Sequence, residues 1–382
     1  TTNSNVNESS WVLSRCFDFT QSAKPVFSVD IWSNTPRGVD GAVLQYNENG
    51  NIENDANWIV VGTVGSGVNW YDDQGISNSP GNQLSGDLGW TGDASSSGGK
   101  YSNYQKAIFK LDNLIGKPKV VFRIAFASSQ ASKDGFAFDN IFIGERSRVV
   151  LIENFTNSST ASANVHNDLY RTFGNSAEIV KVQYHTPFPG NDPLNALNTQ
   201  MNNARAAFYG ITSAPTARVD GDFVNGNLIN WLPKYYDDRV LTPSLIKLDV
   251  TAVKTGSTVK ISTTITNNSG QSVPLAGVHI FTTVVEKSIV SASLLGNSGN
   301  SEFVYVAKQM LPSSTGLIIP NNLAAGQSYT APDVIWENNT GDAIAVSVQS
   351  VEGNNKNVFQ STIISNPPQP DVVTGLGDLL VA

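Results

Sequence analysis

The chain has one cysteine, two methionines and three histidines in 382 residues. A lone thiol, Cys16, excludes an intrachain disulfide, so stability has to come from a buried core. Cys16 itself is expected to be one of the buried residues, as free cysteines usually are. Basic residues are outnumbered, and a net charge of −8 with no basic patch excludes nucleic acid as a partner. No apolar run approaches the ~20 residues that span a bilayer, so no transmembrane segment is expected. The first ten residues have neither a basic nor an apolar signal region and suit a mature or truncated start. Gly-x-Ser-x-Gly, His-Glu-x-x-His and phosphate-loop patterns are missing, and the chain shows no enzyme signature. Only 15% of residues are charged. Asn, Ser, Thr and Gly take their place, a balance that suits β-rich extracellular domains.

Three segments with different rhythms follow. Residues 11–146 carry short alternating runs at 27–32, 41–46, 58–61 and 120–127 between Gly/Asn/Asp/Ser loops, the pattern of an all-β sandwich or jelly roll. Their longest loop, 72–100, is too long to be idle packing and is expected to be functional or disordered. Residues 147–242 change period. An apolar run at 148–155 implies a strand buried on both faces. A helix at 162–173 puts Val165, Leu169, Tyr170 and Phe173 on one face, and a second strand (178–184) and helix (194–209) repeat the unit. Ser213-Ala214-Pro215-Thr216 then opens a short strand ending at Asp220-Gly221. Residues 243–365 return to period two, with strands near 277–285, 302–308, 328–336, 343–351 and 358–364, which points to an immunoglobulin-like β-sandwich. Residues 366–382 begin with a stiff Asn366-Pro367-Pro368-Gln369-Pro370 spacer.

Family resemblances add to this reading. In the first segment Cys16-Phe17-Asp18-Phe19, Val29-Asp30-Ile31-Trp32, Gly89-Trp90-Thr91-Gly92 and Asp134-Gly135-Phe136-Ala137-Phe138-Asp139-Asn140-Ile141 resemble the MAM-like jelly-roll modules of Bacteroidetes surface proteins. The second segment has the layout of a thioredoxin domain. Its Leu151-Ile152-Glu153-Asn154-Phe155-Thr156, Val182-Gln183-Tyr184-His185 and Ser213-Ala214-Pro215-Thr216 resemble the Omp28-related outer-membrane protein family. That resemblance implies a cis Pro215 and a Cys-x-x-Cys whose slots are filled here by Thr160 and Ala163. The redox positions Thr160, Ala163 and Pro215 are thus vestigial. The family also implies an immunoglobulin-like module next, and the last residues, 371–382, resemble the approach to a sorting domain of the type nine secretion system. The expected fold class is multidomain and mainly β: a β jelly roll, an α/β thioredoxin-like domain without the dithiol, and an immunoglobulin-like β-sandwich.

Four groups of residues are candidates for chemistry. Thr160 or Ser162 is expected to cap the helix that follows rather than act as a nucleophile, since no base other than His166 lies near. His166 and His185 fall near the carboxyl edge of the central sheet, where with Asp192 they are metal-site candidates. The competing expectation makes them surface or cap residues, because no zinc spacing is present. His279 belongs to a strand of the third segment. Asp139, Asp134, Asp40 and Asp30 are candidates for a structural calcium, which needs six to eight oxygens from carboxylates and loop carbonyls; solvated turn carboxylates are the alternative. Trp70, Tyr71, Trp90 and Tyr101 sit in and around the long loop, where flat aromatic faces stack on sugars; core packing is the alternative.

The expected function is that of a non-enzymatic, secreted cell-surface protein on the outer membrane exterior, with a binding, adhesive or structural role. Its partners would be cell-surface or outer-membrane proteins or glycans, with self-association as a further option. Alternatives are a subunit of an outer-membrane or extracellular assembly, and a carbohydrate-binding accessory module of a larger precursor.

Overall fold

Alternation in the first segment places one face of each strand inward, and two sheets close over the side chains so aligned. In the computed structural model, residues 7–48, 50–130, 133–173, 178–231, 233–337, 343–354 and 356–365 are described. The fold is mainly β, with several sheets. The chain divides into two compact units, residues 1–146 with 237–242, and residues 147–236 with 243–382.

The first unit contains β1 (Ser9–Phe17), β2 (Pro25–Asn34), β3 (Gly41–Asn47), β4 (Ile59–Val60), β5 (Gln105–Lys110), β6 (Val120–Ala127) and β7 (Gly135–Glu145). One sheet runs β1-β6-β3-β4 and the other β5-β2-β7. Phe27, Val29 and Ile31 of β2 meet Leu44, Phe122 and Ile124 in the core between them. β1 and β7 are edge strands, and Trp11, Val12, Leu13, Ile141 and Phe142 on them are exposed. Cys16 is exposed as well, contrary to expectation. The edge strand β1 pairs only with β6 and shifts register between Leu13 and Cys16, so this part of β1 is not covered by a neighbour.

The second unit begins with β8 (Val150–Thr156), α1 (Ser162–Thr172), β9 (Ile179–His185), α2 (Pro193–Leu197), α3 (Thr199–Phe208), β10 (Thr216–Val219) and β11 (Val224–Gly226). Helix α4 (Pro233–Leu241) starts in it, and the residues of α4 from 237 onward belong to the first unit. β8 and β9 are parallel, while β10 runs antiparallel to β8 and β11 to β10, in the order β11-β10-β8-β9. The Ala214–Pro215 bond is cis. The helix expected over 194–209 is broken at Asn198. That residue leaves helical geometry and caps α3, its Oδ1 accepting from the Met201 N–H at 3.2 Å.

Then come β12 (Ile246–Thr255), β13 (Thr258–Asn267), β14 (Val273–Pro274), β15 (Val278–Ile289), β16 (Phe303–Leu311), β17 (Leu317–Ile318), β18 (Asn322–Leu323), β19 (Ser328–Thr330), β20 (Val334–Trp336), β21 (Ala343–Ser350) and β22 (Val358–Ser365). β12, β13, β19 and β20 form one sheet. β16, β15, β21 and β22 continue the β8/β9 sheet, joined where Val306 of β16 pairs with Gln183 of β9. The segments separated at 242/243 in the sequence therefore share one nine-stranded sheet.

Both faces of β8 and β9 are covered, and every residue of both strands is buried. Alternation sends Leu151, Glu153 and Phe155 toward α3, where they join Val182, Tyr184, Met201 and Ala206 in a core that also takes in Phe281 and Val285 of β15. Glu153 is a carboxylate inside that core. Arg205 of α3 grips it with two hydrogen bonds, 2.7 Å to Oε1 and 2.9 Å to Oε2. Tyr209 donates to the same carboxylate, and Arg205 also donates to Gln349 Oε1 of β21 at 2.6 Å. Burial alone disfavours the charged guanidinium, but Glu153 and the nearby tyrosines outweigh it and hold Arg205 firmly protonated. Removing one partner from such a pair leaves a buried unpaired charge. Arg205→Met is expected to cost about 3–5 kcal/mol in urea unfolding. Arg205→Met combined with Glu153→Leu should recover most of that loss.

Candidate functional site

The carboxyl ends of β8 and β9 lead into the turn before α1 and the loop before α2, where an open α/β sheet usually holds ligands. Asp192, at the N-cap of α2, accepts there from the Leu194 and Asn195 N–H groups at 2.8 and 3.4 Å. It also accepts from the Ser158 N–H and hydroxyl, both at 2.8 Å, and from His185 Nδ1 at 2.7 Å. Burial raises the carboxyl's proton affinity, but the hydrogen bonds from His185 and Ser158 more than offset it and hold Asp192 below the usual range. Asn157 ties the same turn down, donating to the Thr186 and Gly190 carbonyls at 2.8 and 2.7 Å.

Ser, His and Asp therefore meet here, but not as a nucleophile–base pair. Ser158 gives its proton to Asp192, and His185 faces Asp192 through Nδ1, so neither activates the other. The loop joining β15 to β16 packs on this edge. Gly296, at φ +59°, lies so close that a Cβ would fall 2.4 Å from the Ser158 carbonyl oxygen. Asn167 of α1 donates to Asn300 Oδ1 at 3.2 Å and to the Glu302 carbonyl at 2.9 Å. Phe303 stands edge-on to the His185 ring, 4.8 Å between centroids.

Thr160 is half-buried and Ala163 fully buried, linked by a 3.1 Å hydrogen bond from the Ala163 N–H to the Thr160 carbonyl. Neither Thr160 nor Ser162 caps α1; Ala161 takes the cap position, and the two hydroxyls bond each other at 2.9 Å. The histidines expected at the surface are inside, His166 at 0% and His185 at 1% exposure. His166 Nε2 accepts the Leu228 N–H at 3.0 Å, which leaves the ring proton on Nδ1. A nitrogen that carries its proton cannot ligate a metal, and Asp192 is already saturated, so these three do not form a metal site. His279, half-exposed on β15, donates from Nδ1 to the Thr315 carbonyl at 2.7 Å.

The calcium candidates are dispersed. Asp30 and Asp139 are cross-strand neighbours on β2 and β7, but Asp30 holds Lys106 at 2.7 Å and Asn140 at 2.8 Å. Asp139 accepts from the Asn140 N–H and Asp134 from Asn34, both at 2.7 Å. Asp40 is buried elsewhere, accepting from Asn78 and Ser129 at 2.7 and 2.8 Å. Among the described residues no group of three or more His, Cys, Asp or Glu is placed to hold a metal. The four carboxylates serve as acceptors for neighbouring side chains and backbone.

The aromatic candidates are core. Trp70, Tyr71, Trp90 and Tyr101 are at most 3% exposed. Trp70 packs on Trp90 and Phe109, with centroids 5.0 and 5.1 Å away. Both indoles donate to carbonyls, Trp70 to Val61 at 2.8 Å and Trp90 to Asn69 at 3.0 Å. The Tyr71 hydroxyl bonds both the N–H and the carbonyl of Leu44, and Tyr101 donates to Asp72. None of these four rings leaves a flat face for a sugar. The long loop is pinned by these rings and by backbone bonds such as Ile76 N–H to the Asp87 carbonyl at 3.0 Å. Glycine spacing in the loop gave no sign that its aromatics point inward.

No protein-family model matches the chain, and no curated protein does. Among solved structures, the chain is similar to protein AGR_C_4864 from Agrobacterium tumefaciens at 13% identity and TM-score 0.39, over 63% of this chain and 100% of that one. It also matches a β-glucosidase from Kluyveromyces marxianus (11% identity, TM-score 0.18, 94% of this chain and 44% of that one). A third match is DesR, a β-glucosidase from Streptomyces venezuelae (10%, 0.18, 96% and 47%). The chain thus spans under half of either β-glucosidase. None of these similarities bears on the chemistry of this chain. Among the described residues no helix is long and apolar enough to cross a membrane.

Two outcomes follow. Trp90→Ala is expected to destabilise the protein by about 3–5 kcal/mol in chemical unfolding, as a core deletion does. The second concerns pH. Burial lowers His166 from 6.5 to about 4, so the unfolded chain binds the extra proton first as pH falls. Its contribution, about 3 kcal/mol, is fully present above pH 6.5 and lost as pH falls toward 4. Stability measured across that window should slope steeply in the native chain and less in His166→Asn.

Proposed function

We propose that the chain is a non-enzymatic, secreted cell-surface protein of Bacteroidetes type, with a binding, adhesive or structural role. On this reading it is built from a jelly roll, a thioredoxin-like segment that has lost its dithiol, and an immunoglobulin-like sandwich. Strand order β11-β10-β8-β9, with β8 and β9 parallel and helices between, supports the thioredoxin-like assignment. One observation carries the functional reading. At the edge where a dithiol belongs, Thr160 and Ala163 supply no sulfur, and the neighbouring Ser158 and His185 Nδ1 both bond Asp192. The edge is built as packing, which leaves outer surfaces to carry the function.

A specific observation favours an assembly subunit as the second reading. The edge strands β1 and β7 of the first unit expose Trp11, Val12, Leu13, Ile141 and Phe142, an apolar margin suited to a neighbouring strand. Light scattering across a concentration series separates the two readings, since an assembly subunit grows in mass and a lone binder stays monomeric.

The lost redox role is tested by insulin reduction with dithiothreitol. The native chain is expected to add nothing to the uncatalysed rate, and catalysis would count against the proposal. Thr160→Cys with Ala163→Cys, oxidised and then titrated under denaturing conditions, is expected to show only the single native thiol. Three free thiols would mean that the two slots do not meet as a dithiol pair.

A further inference from the structure

The α1-facing side of β8 and β9 carries an unusual load of polar groups. Alternation puts Asn154 and Thr156 on that face beside Gln183 and His185, with Asn154 level with Gln183 and Thr156 level with His185. α1 lies over them: Asn167 accepts from Gln183 Nε2 at 3.2 Å, and Tyr170 donates to the Ile152 carbonyl at 3.1 Å. His166 is on the same buried stripe of α1 as Ala163 and Tyr170. All five polar side chains are at most 1% exposed. Six of their atoms have no hydrogen-bond partner: both amide atoms of Asn154, Thr156 Oγ1, His166 Nδ1, Gln183 Oε1 and His185 Nε2. A buried polar atom without a partner costs roughly 1–3 kcal/mol, so a stable fold does not leave six on one face.

Their chemistry defines the guest. His166 Nδ1 and the Asn154 amide nitrogen present protons, because Nε2 of His166 is taken by the Leu228 N–H. Gln183 Oε1 and Asn154 Oδ1 present lone pairs, and His185 Nε2, on the far side of the ring from the Nδ1 that bonds Asp192, is orphaned beside them. A cation would face those two proton-bearing nitrogens, and no orphaned atom here is anionic to neutralise it. An anion would face the lone pairs of Gln183 Oε1 and Asn154 Oδ1. The guest must be neutral and must both donate and accept.

We propose that this layer, between α1 and the β8/β9 sheet, is an internal binding site for water, with Thr156 Oγ1 and His185 Nε2 among the groups that hold it. A buried water makes about three hydrogen bonds, so roughly two molecules complete the set. The site lies where the thioredoxin-like reading places its lost chemistry, but it rests on the orphaned atoms and not on that reading.

The test is the sign of one isosteric change, read with a crystal structure of the native chain fine enough to show ordered solvent. If the Thr156 hydroxyl binds water, Thr156→Val removes a satisfied group, and the unfolding equilibrium constant should rise about two- to tenfold. Density for water within hydrogen-bonding distance of Thr156 Oγ1 or His185 Nε2 is the matching structural result. A stabilised or unchanged Thr156→Val variant overturns the proposal, because removing an unpartnered hydroxyl is neutral or favourable. A dry layer in the native crystal overturns it equally, and does not depend on how the variant folds.

Discussion

The second unit depends on one charge that cannot be left alone. Glu153 sits in the middle of a strand buried on both faces, and its carboxylate is tolerable there only because Arg205 arrives with a two-pronged grip. That requirement fixes more than a pair. Arg205 must be presented by α3 at the right turn, so the helix has to start at Asn198 and not run on from α2. The guanidinium then reaches Gln349, whose amide donates to the Tyr209 hydroxyl at 2.6 Å and to the Lys356 carbonyl at 2.8 Å. Strand β21, from the segment expected to form a separate sandwich, is drawn into the same network. A buried ion pair adds little net stability over an apolar substitute, but it specifies which elements must meet. Here those elements are β8, α3 and β21.

The two faces of β8 and β9 solve the problem of buried polarity in different ways. Toward α3 the polar groups are few and centre on the Glu153–Arg205 ion pair, in which both carboxylate oxygens are bonded and only Nη1 of Arg205 lacks a partner, and the rest of the face is Leu151, Phe155, Val182 and Tyr184. Toward α1 they are neutral, numerous and short of partners. Neutral groups can share a water where charged ones require each other, which is why the second face can stay hydrated without destabilising the first. His166 fits this division. With no acid beside it and burial as the force acting on it, the ring stays uncharged near neutral pH and serves as a donor.

How much of this was legible in the sequence follows from which forces leave a pattern. Period-two alternation put Phe27, Val29 and Ile31 on one side of β2, and strand and helix positions through 147–219 came out within a few residues. Of the apolar face expected on α1, Tyr170 is buried but Val165 and Leu169 are exposed, because the helix turns Ala163, His166 and Asn167 inward instead. Alternation says nothing about which neighbour covers an edge. Hence Cys16, expected inside, lies outside on β1. The same limit hid the pairing of β9 with β16, a contact between strands about 120 residues apart whose only local trace is that both are rich in apolar residues. Aromatics in a Gly-rich loop mislead for a related reason. Trp70 and Trp90 have loop neighbours in sequence but core neighbours in space, because tight glycine turns let the loop fold back over the sheet. His166 and His185, expected as surface or cap residues or as metal ligands, are buried, because a histidine carries no sequence mark of the acceptor or donor it will find.

The closed carboxyl edge bears on where the protein does its work. In an open α/β sheet that edge is the natural place for a ligand because strand ends and helix starts leave polar groups unspent. Here the groups on the loop side of that edge have been spent, and those left unpartnered, Thr156 Oγ1 and His185 Nε2, are buried beneath α1. Asp192 takes donors from Ser158, His185 and α2, Asn157 ties two carbonyls together, and the β15–β16 loop seats Gly296 against Ser158 so tightly that no larger residue fits. A ligand reaching this edge from outside would have to displace bonds that Asp192 and Asn157 already hold. Surface recognition needs no such exchange. Trp11, Val12 and Leu13 on β1 and Ile141 and Phe142 on β7 are already exposed to solvent, and covering them releases the free energy that apolar burial supplies. The physical asymmetry between a spent polar edge and an unspent apolar margin is the strongest reason to look for partners at the strand edges of the first unit.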